Sequence, residues 1–212
     1  MTRSFHPDTT PKEFHPVIDI RGDYNVLDLT RGYYPASISL DPPSIGRYHE
    51  KRHNMYTFGL FEGRRDIHMG IDFWVPSGTP VHAFSDGRIL CFRDNDKPGD
   101  YGPTIVTEHL IAGDLKGNSA NTSEEHVIYA LFGHLSRASL HNISEGMPLK
   151  RGEAFASVGD EQENGGWVPH LHFQLSRVRP EQPDMPGVVA EEDLTDALQI
   201  YPDPQLVTGR FY

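Results

Sequence analysis

Residues 63–87, GRRDIHMGIDFWVPSGTPVHAFSDG, decide the fold of this chain. His68 and Asp72 are four positions apart, the spacing at which a helix presents two side chains on one face. Gly70 between them and the proline-rich residues 76–80 disfavour a helix. In a straight strand the two side chains would lie about 13 Å apart, too far to share one ion. We therefore predict extended backbone that bends at Gly70, carrying either a metal-binding pair or a histidine and an aspartate at a turn.

A second and a third segment add further histidines. Apolar and polar residues alternate through 168–175, which predicts a strand with His170 and His172 on one face. Their side chains would be about 7 Å apart, so that one can bind a metal while the other reaches its water. The apolar segment 127–133 is followed directly by His134. Three separate segments thus place histidine at the ends or faces of predicted strands, which indicates a metal site.

Several motifs follow one another in a fixed order along the chain: His68-Met-Gly-Ile-Asp72, Pro76-Ser-Gly-Thr-Pro-Val81, Ala83, Asp86-Gly87, Tyr129-Ala-Leu-Phe-Gly-His134-Leu135, Gly146, Leu149, Gly152, Gly159 and Pro169-His-Leu-His-Phe173. This ordered set resembles the M23 (LytM-like) zinc metallopeptidases, which cut peptide cross-links of bacterial cell walls. The resemblance covers about residues 63–176 of the 212. It departs from the family's pattern at 100–103, where Asp-Tyr-Gly-Pro replaces a Gly-x-Gly motif, and at a long polar insertion, 112–125.

The resemblance implies a role for each of five residues. His68, Asp72 and His172 match the zinc ligands, and His134 and His170 match the two catalytic histidines. Two neutral imidazoles and one carboxylate leave the fourth position of a tetrahedral zinc site open for water, whose pKa zinc lowers to about 7. Attack on an amide then needs a base and an oxyanion donor. His134 and His170 are assigned to these two tasks jointly.

The function implied is a zinc-dependent endopeptidase that hydrolyses peptide bonds, with peptidoglycan-type cross-links as the expected substrate. Three other functions stay open: an intracellular zinc amidohydrolase acting on another peptide, a catalytically silent M23-like binding module, and a zinc ion that only stabilises the fold. A zinc ion that only stabilises the fold needs a fourth protein ligand, such as His49, His53 or Asn54. The same fourth ligand would also be present in an enzyme whose zinc is blocked by its own N-terminal residues. The scissile bond and the oligomeric state stay open.

The composition disfavours several kinds of partner and compartment. The 30 acidic and 19 basic residues give a formal charge of −11, which disfavours binding to nucleic acid. No run approaches the roughly 18 apolar residues of a membrane span, and the first residues lack the apolar core of a secretion signal. The chain as written is therefore expected in the cytoplasm, or outside it if another route delivers it. Cys91 is the only cysteine, which excludes an intrachain disulfide.

The predicted fold is mostly β. The 17 prolines and 20 glycines suit a turn-rich β architecture, and the resemblance implies an antiparallel β-sheet or sandwich core of the M23, duplicated-hybrid-motif-like type. We expect residues 1–62 to form an N-terminal extension packed on the core, 63–178 to form the metallopeptidase domain and 179–212 to form a C-terminal tail. Residues 191–199, with acidic side chains in the first turn, predict a short peripheral helix in that tail.

Local patterns place the remaining elements. Residues 79–83 and 88–93 flank a Ser-Asp-Gly turn and predict a β-hairpin. Residues 26–29 and 38–40 are short strand candidates within the extension. His109, at the end of a predicted strand, is expected to be structural.

Overall fold

The structure, a computed structural model, describes residues 2–4, 11–112 and 125–212, so most of the predicted polar insertion lies outside the described residues. The described chain is mostly β and largely antiparallel, which confirms the predicted fold class. In chain order its strands are β1 (Thr2–Ser4), β2 (Asp23–Val26), β3 (Ser44–Gly46), β4 (Glu50–Lys51), β5 (Ile67–His68), β6 (Ile71–Trp74), β7 (Pro80–His82), β8 (Gly87–Asn95), β9 (Gly102–Ala112), β10 (Glu125–Gly133), β11 (Pro148–Leu149), β12 (Ala154–Ser157), β13 (Leu171–Ser176) and β14 (Val188–Val189).

Helical structure is short. Helix α1 (Leu194–Ile200), preceded by a 3-10 turn at Glu191–Asp193, confirms the helix predicted at 191–199. Sequence patterns do not predict the second helix, α2 (Gln205–Thr208). No helix within the described part of the chain is long and apolar enough to cross a membrane. Further 3-10 turns lie at Leu29–Arg31, Pro35–Ser37, Gly59–Phe61 and Arg137–Leu140.

The central layer is a nine-stranded sheet in the order β1-β2-β3-β6-β13-β10-β9-β8-β11. Strands β2 and β3 pair in parallel, and the other neighbours pair antiparallel. Two small sheets, β12-β7 and β14-β5-β4, flank it. This order makes β6 and β13 neighbours although about a hundred residues separate them, and it places the end of β10 beside them.

Alternation along β13 separates the core from the site. His172 of β13 is the antiparallel partner of Asp72 in β6, so both side chains lie on the same face of the sheet. The residues that alternate with His172 along β13, Leu171, Phe173 and Leu175, lie on the opposite face. All three are fully buried in the largest hydrophobic cluster. The period-two pattern predicted for this segment is therefore what separates apolar packing from the polar site.

The bend predicted between His68 and Asp72 is present, but its cause differs from the prediction. Strand β5 ends at His68, β6 begins at Ile71, and the two strands belong to different sheets. Gly70 does not have a left-handed φ angle; instead, a Cβ added there would lie 2.5 Å from Cε1 of His172. Glycine is therefore required by the close approach of the His172 ring, and the turn itself does not demand it.

The predicted hairpin between 79–83 and 88–93 is wrong. Strand β7 pairs with β12, and β8 pairs with β9. The cause lies in the connection: Phe84 is fully buried, and its ring lies 6.0 Å from that of Phe173 and 4.1 Å from that of His109. Because burial of a phenylalanine outweighs a local turn preference, the chain crosses the core at this point.

The N-terminal residues contribute strands to the main sheet. Strand β3 pairs with β6 and places Ile45 in the largest core cluster. The predicted strand at 26–29 forms only as far as Val26, after which Leu29 begins a 3-10 turn. Residues 38–40 form no strand; their apolar side chains pack against the cluster around Trp74. The three-part division of the chain at 62 and 178 stays a prediction.

Replacement of Phe84 by alanine tests the core crossing. We expect Phe84→Ala to lower the free energy of unfolding by about 3–5 kcal/mol, because it removes a fully buried aromatic ring. Leu110→Ala, at a side chain on the exposed part of β9, is the matched control and should change the value by less than about 0.5 kcal/mol. Urea unfolding of both variants measures this, and equal values for the two would contradict the packing described.

Candidate metal centre and active site

Three polar side chains meet where β5, β6 and β13 approach one another. His68 Nε2 lies 3.0 Å from His172 Nδ1 and 3.2 Å from Asp72 Oδ1, and His172 Nδ1 lies 3.0 Å from the same oxygen. All three side chains are buried. Among the described residues, this is the group of three or more His, Cys, Asp or Glu side chains whose geometry could hold a metal ion. Separations near 3 Å suit a tetrahedral ion with bonds of about 2.0–2.1 Å.

The outer nitrogen of each imidazole shows which nitrogen carries the proton. His68 Nδ1 donates to the carbonyl oxygen of Arg47 at 2.8 Å. His172 Nε2 donates to Gln174 Oε1 at 3.1 Å, and the amide nitrogen of Gln174 donates in turn to the carbonyl of Pro186. Because these oxygens only accept, the proton of each neutral ring is on its outer nitrogen. The inner nitrogens, His68 Nε2 and His172 Nδ1, therefore carry lone pairs. Two imidazole lone pairs and a carboxylate oxygen therefore converge at hydrogen-bond distance, an arrangement that a cation stabilises.

Burial and charge keep the three groups in the forms that bind metal. Burial acts to raise the pKa of Asp72, but the neighbouring His68 and Arg52 outweigh it and hold that pKa well below its usual range. Burial, reinforced by the charge of Arg52, lowers the pKa of His68 to about 4. At neutral pH the carboxyl group is therefore ionised and the imidazole is neutral, as metal ligands must be.

His134 and His170 stand beside this group. Their ring centroids are 4.2 Å apart, and the ring of His134 lies 6.3 Å from that of His172. His134 follows β10 with a left-handed φ of 61°, and its Nδ1 donates to the carbonyl of Asn164 at 2.8 Å. His170 Nδ1 donates to the carbonyl of Val168 at 2.7 Å. In both residues Nε2 is thus the nitrogen that carries a lone pair.

The two rings are neutral at physiological pH. Burial lowers the pKa of His170 to about 4. Burial, together with the proximity of His170 and His172, holds the pKa of His134 well below its usual range. A neutral imidazole with a lone pair at Nε2 can accept a proton, which is the property a general base requires.

A groove of about 430 Å³ opens onto these side chains. His68, Asp72, His134, His170 and His172 all line it. Its lining combines apolar and aromatic side chains with acidic ones. They include Met55, Tyr56, Phe61 and Trp167 among the former and Asp100 and Asp184 among the latter.

The M23 family model matches residues 66–184, which is more than half of the chain. The chain belongs to peptidase family M23. The resemblance identified from the sequence motifs is confirmed.

The M23 relatives of this chain are much longer than the part that matches it. Peptidoglycan DD-endopeptidase ShyB of Vibrio cholerae is 33% identical over 157 residues, which cover 74% of this chain and 30% of ShyB. DD-carboxypeptidase/endopeptidase Mpg of Neisseria meningitidis is 32% identical over 108 residues, 51% of this chain and 20% of Mpg. The match spans less than a third of either relative. A solved catalytic domain of the prophage-encoded M23 protein EnpA from Enterococcus faecalis is 20% identical, with a TM-score of 0.44, and the match covers 76% of this chain and 94% of that domain.

The five residues predicted from the M23 motifs come together in one groove, although their individual roles stay predictions. His109 lies elsewhere, buried between Ser85 and Thr107, with hydrogen bonds of 3.0 and 2.7 Å to their hydroxyl groups. His49 and His53 are not among the residues that line the groove.

Sequence reasoning missed three side chains of this M23 site. Gln174, two positions after His172 on the same strand face, is the one that the period-two pattern could have identified. Tyr101 lies in the segment that departs from the family's motif; its hydroxyl donates to the carbonyl of Met185, and its ring lies 5.1 Å from that of His172. Arg52, in the residues before the matched segment, carries no sequence signal, because an isolated arginine is normally solvated.

Gly70→Ala tests the contact that shapes the centre. The added methyl group would displace the His172 ring, so we expect the zinc affinity of the folded protein to fall at least about tenfold. Gly59→Ala is the matched control, because a Cβ at Gly59 meets nothing within 4 Å. Competition with a chromophoric chelator measures both affinities, and an unchanged affinity in Gly70→Ala would contradict the ring placement.

Proposed function

We propose that this chain is a zinc-dependent endopeptidase that hydrolyses peptide bonds of peptidoglycan-type cross-links. The observation that carries the proposal is the convergence of His68 Nε2, Asp72 Oδ1 and His172 Nδ1 within 3.0–3.2 Å, in a groove that two further neutral histidines also line. Family membership supports peptidase chemistry. The names of ShyB and Mpg support a peptidoglycan substrate.

The donor set favours zinc. Two imidazoles and one carboxylate are its typical catalytic ligands, and three protein ligands leave a position for a reactant. A zinc ion held there supplies Lewis-acid activation of water and of the scissile carbonyl group. The opening of the groove onto these residues supports a catalytic centre over a zinc ion that only stabilises the fold.

The two remaining histidines provide the proton-transfer groups. Because Nδ1 of His134 and of His170 is committed to a backbone carbonyl, each ring offers Nε2 to the groove as a proton acceptor. A ring that has taken a proton from water becomes a donor, which can stabilise the oxyanion or protonate the leaving amine. With the rings 4.2 Å apart, base and donor act on the same reacting group, so we keep the joint assignment.

The groove suits an extended peptide. Its aromatic side chains suit apolar parts of a substrate, while the carboxylates of Asp100 and Asp184 suit amino groups. Burial and the neighbouring Asp100 raise the pKa of Asp184, and Arg93 and Arg65 oppose this shift only in part. A catalytically silent binding module is less well supported, because it would not need two neutral histidines side by side.

Separate variants distinguish the ligands from the catalytic histidines. We expect His172→Ala to lose zinc and activity together, because it removes a ligand. His134→Ala and His170→Ala should keep about one zinc per chain and lose about 10²- to 10⁴-fold in hydrolysis of a peptidoglycan digest, the usual contribution of acid-base groups.

The matched control is His53→Ala, which changes an exposed histidine outside the groove and should leave both quantities unaltered. Loss of zinc in His170→Ala would show that the ligands are assigned wrongly. Zinc binding without cleavage of the digest by the wild type would contradict the substrate.

A further inference from the structure

The carboxylate of Asp72 has a second partner on the side away from the histidines. Arg52 Nη1 donates to Asp72 Oδ2 at 2.6 Å, and both side chains are completely buried. The same guanidinium group donates from Nε to Glu50 Oε2 at 3.2 Å, from Nη1 to the hydroxyl of Tyr56 at 3.0 Å and from Nη2 to the carbonyl of Arg47 at 3.3 Å. A buried arginine with four polar partners is held in one orientation.

The surrounding residues form a slot that fits this guanidinium group. Its Cζ lies 5.8 Å from the centroid of the Trp74 ring, at cation-π distance. A Cβ added to Gly46 would lie 2.7 Å from Arg52 Nη2 and 2.5 Å from Trp74, so glycine is required where the chain passes the pair. The slot is therefore built by β3, β4 and β6 together.

We propose that Arg52 is a positioning residue of the metal centre. By holding Oδ2, it leaves Oδ1 turned toward His68 and His172. This inference rests on the proposed function, since it concerns how that centre holds its zinc. It also assigns a role to residues before 66, outside the segment that the M23 model matches.

Two opposing effects decide the direction of the change in affinity. The positive charge of Arg52 repels a dication, whereas its hydrogen bond fixes the ligand oxygen. The repulsion is offset by Asp72 itself, because the charge of Arg52 is already paired with that carboxylate at 2.6 Å, whereas the charge of Glu50 is shared with Arg47. Partners of ligating carboxylates typically raise metal affinity about 10- to 100-fold. Fixation of the oxygen therefore outweighs repulsion.

The test compares three full-length variants by zinc competition with a chromophoric chelator at neutral pH. Arg52→Gln should weaken zinc binding about 10- to 100-fold. Arg52→Lys keeps the charge, but its single ammonium nitrogen cannot occupy both the Nη1 position at Asp72 and the Nε position at Glu50, so it should recover part of the affinity. Glu50→Gln is the matched control: it disturbs the same buried network without touching Asp72 and should stay within about threefold of the wild type, well below the effect expected at Arg52.

Thermal unfolding in excess chelator separates positioning from stability. Glu50→Gln and Arg52→Gln should both lower the melting temperature, while only the arginine variants lose zinc affinity. Wild-type affinity in folded Arg52→Gln, or an equal loss in Glu50→Gln, would overturn the inference. If Arg52→Gln does not fold, Arg52→Lys decides, and an affinity equal to that of Glu50→Gln would overturn it. A wild type that binds no zinc would instead contradict the proposed function.

Discussion

Three lone pairs face one another in the interior of this protein, two from imidazole nitrogens and one from a carboxylate oxygen, at separations of 3.0–3.2 Å. The hydrogen bonds on their far sides use the protons that could otherwise have been shared between them. Such an arrangement is unfavourable by itself and favourable around a cation, because buried acceptors need a partner. The rest of the structure can be understood as what holds these groups in that position.

The main sheet provides that support. It aligns Asp72 and His172 as antiparallel partners and buries the intervening apolar residues on its other face. The small sheet of β4, β5 and β14 places His68 at the same point. The outer nitrogen of His68, Nδ1, donates to the backbone carbonyl of Arg47. Chain segments that are far apart in sequence therefore build one centre. The contacts that position its ligands come both from residues 66–184, which match the M23 model, and from residues before them.

Much of the site could be predicted from sequence because its signals are local. The pairs His68 with Asp72 and His170 with His172 lie within short motifs, and His134 ends an apolar strand. The acidic residues 191–193 just before α1 likewise predicted that helix. The prediction at 79–93 was wrong because burial of Phe84, a tertiary effect, outweighs the hairpin preference. Arg52 could not be predicted, since its burial depends on Gly46 of β3 meeting Asp72 and Trp74 of β6.

Zinc K-edge X-ray absorption of the zinc-loaded full chain measures whether the two imidazoles and the carboxylate bind one ion together. We expect about one zinc per chain, with nitrogen and oxygen neighbours at about 2.0–2.1 Å and outer-shell scattering from two imidazole rings. A chain that binds no zinc would contradict this expectation. So would a spectrum with a sulfur neighbour, or one without imidazole scattering.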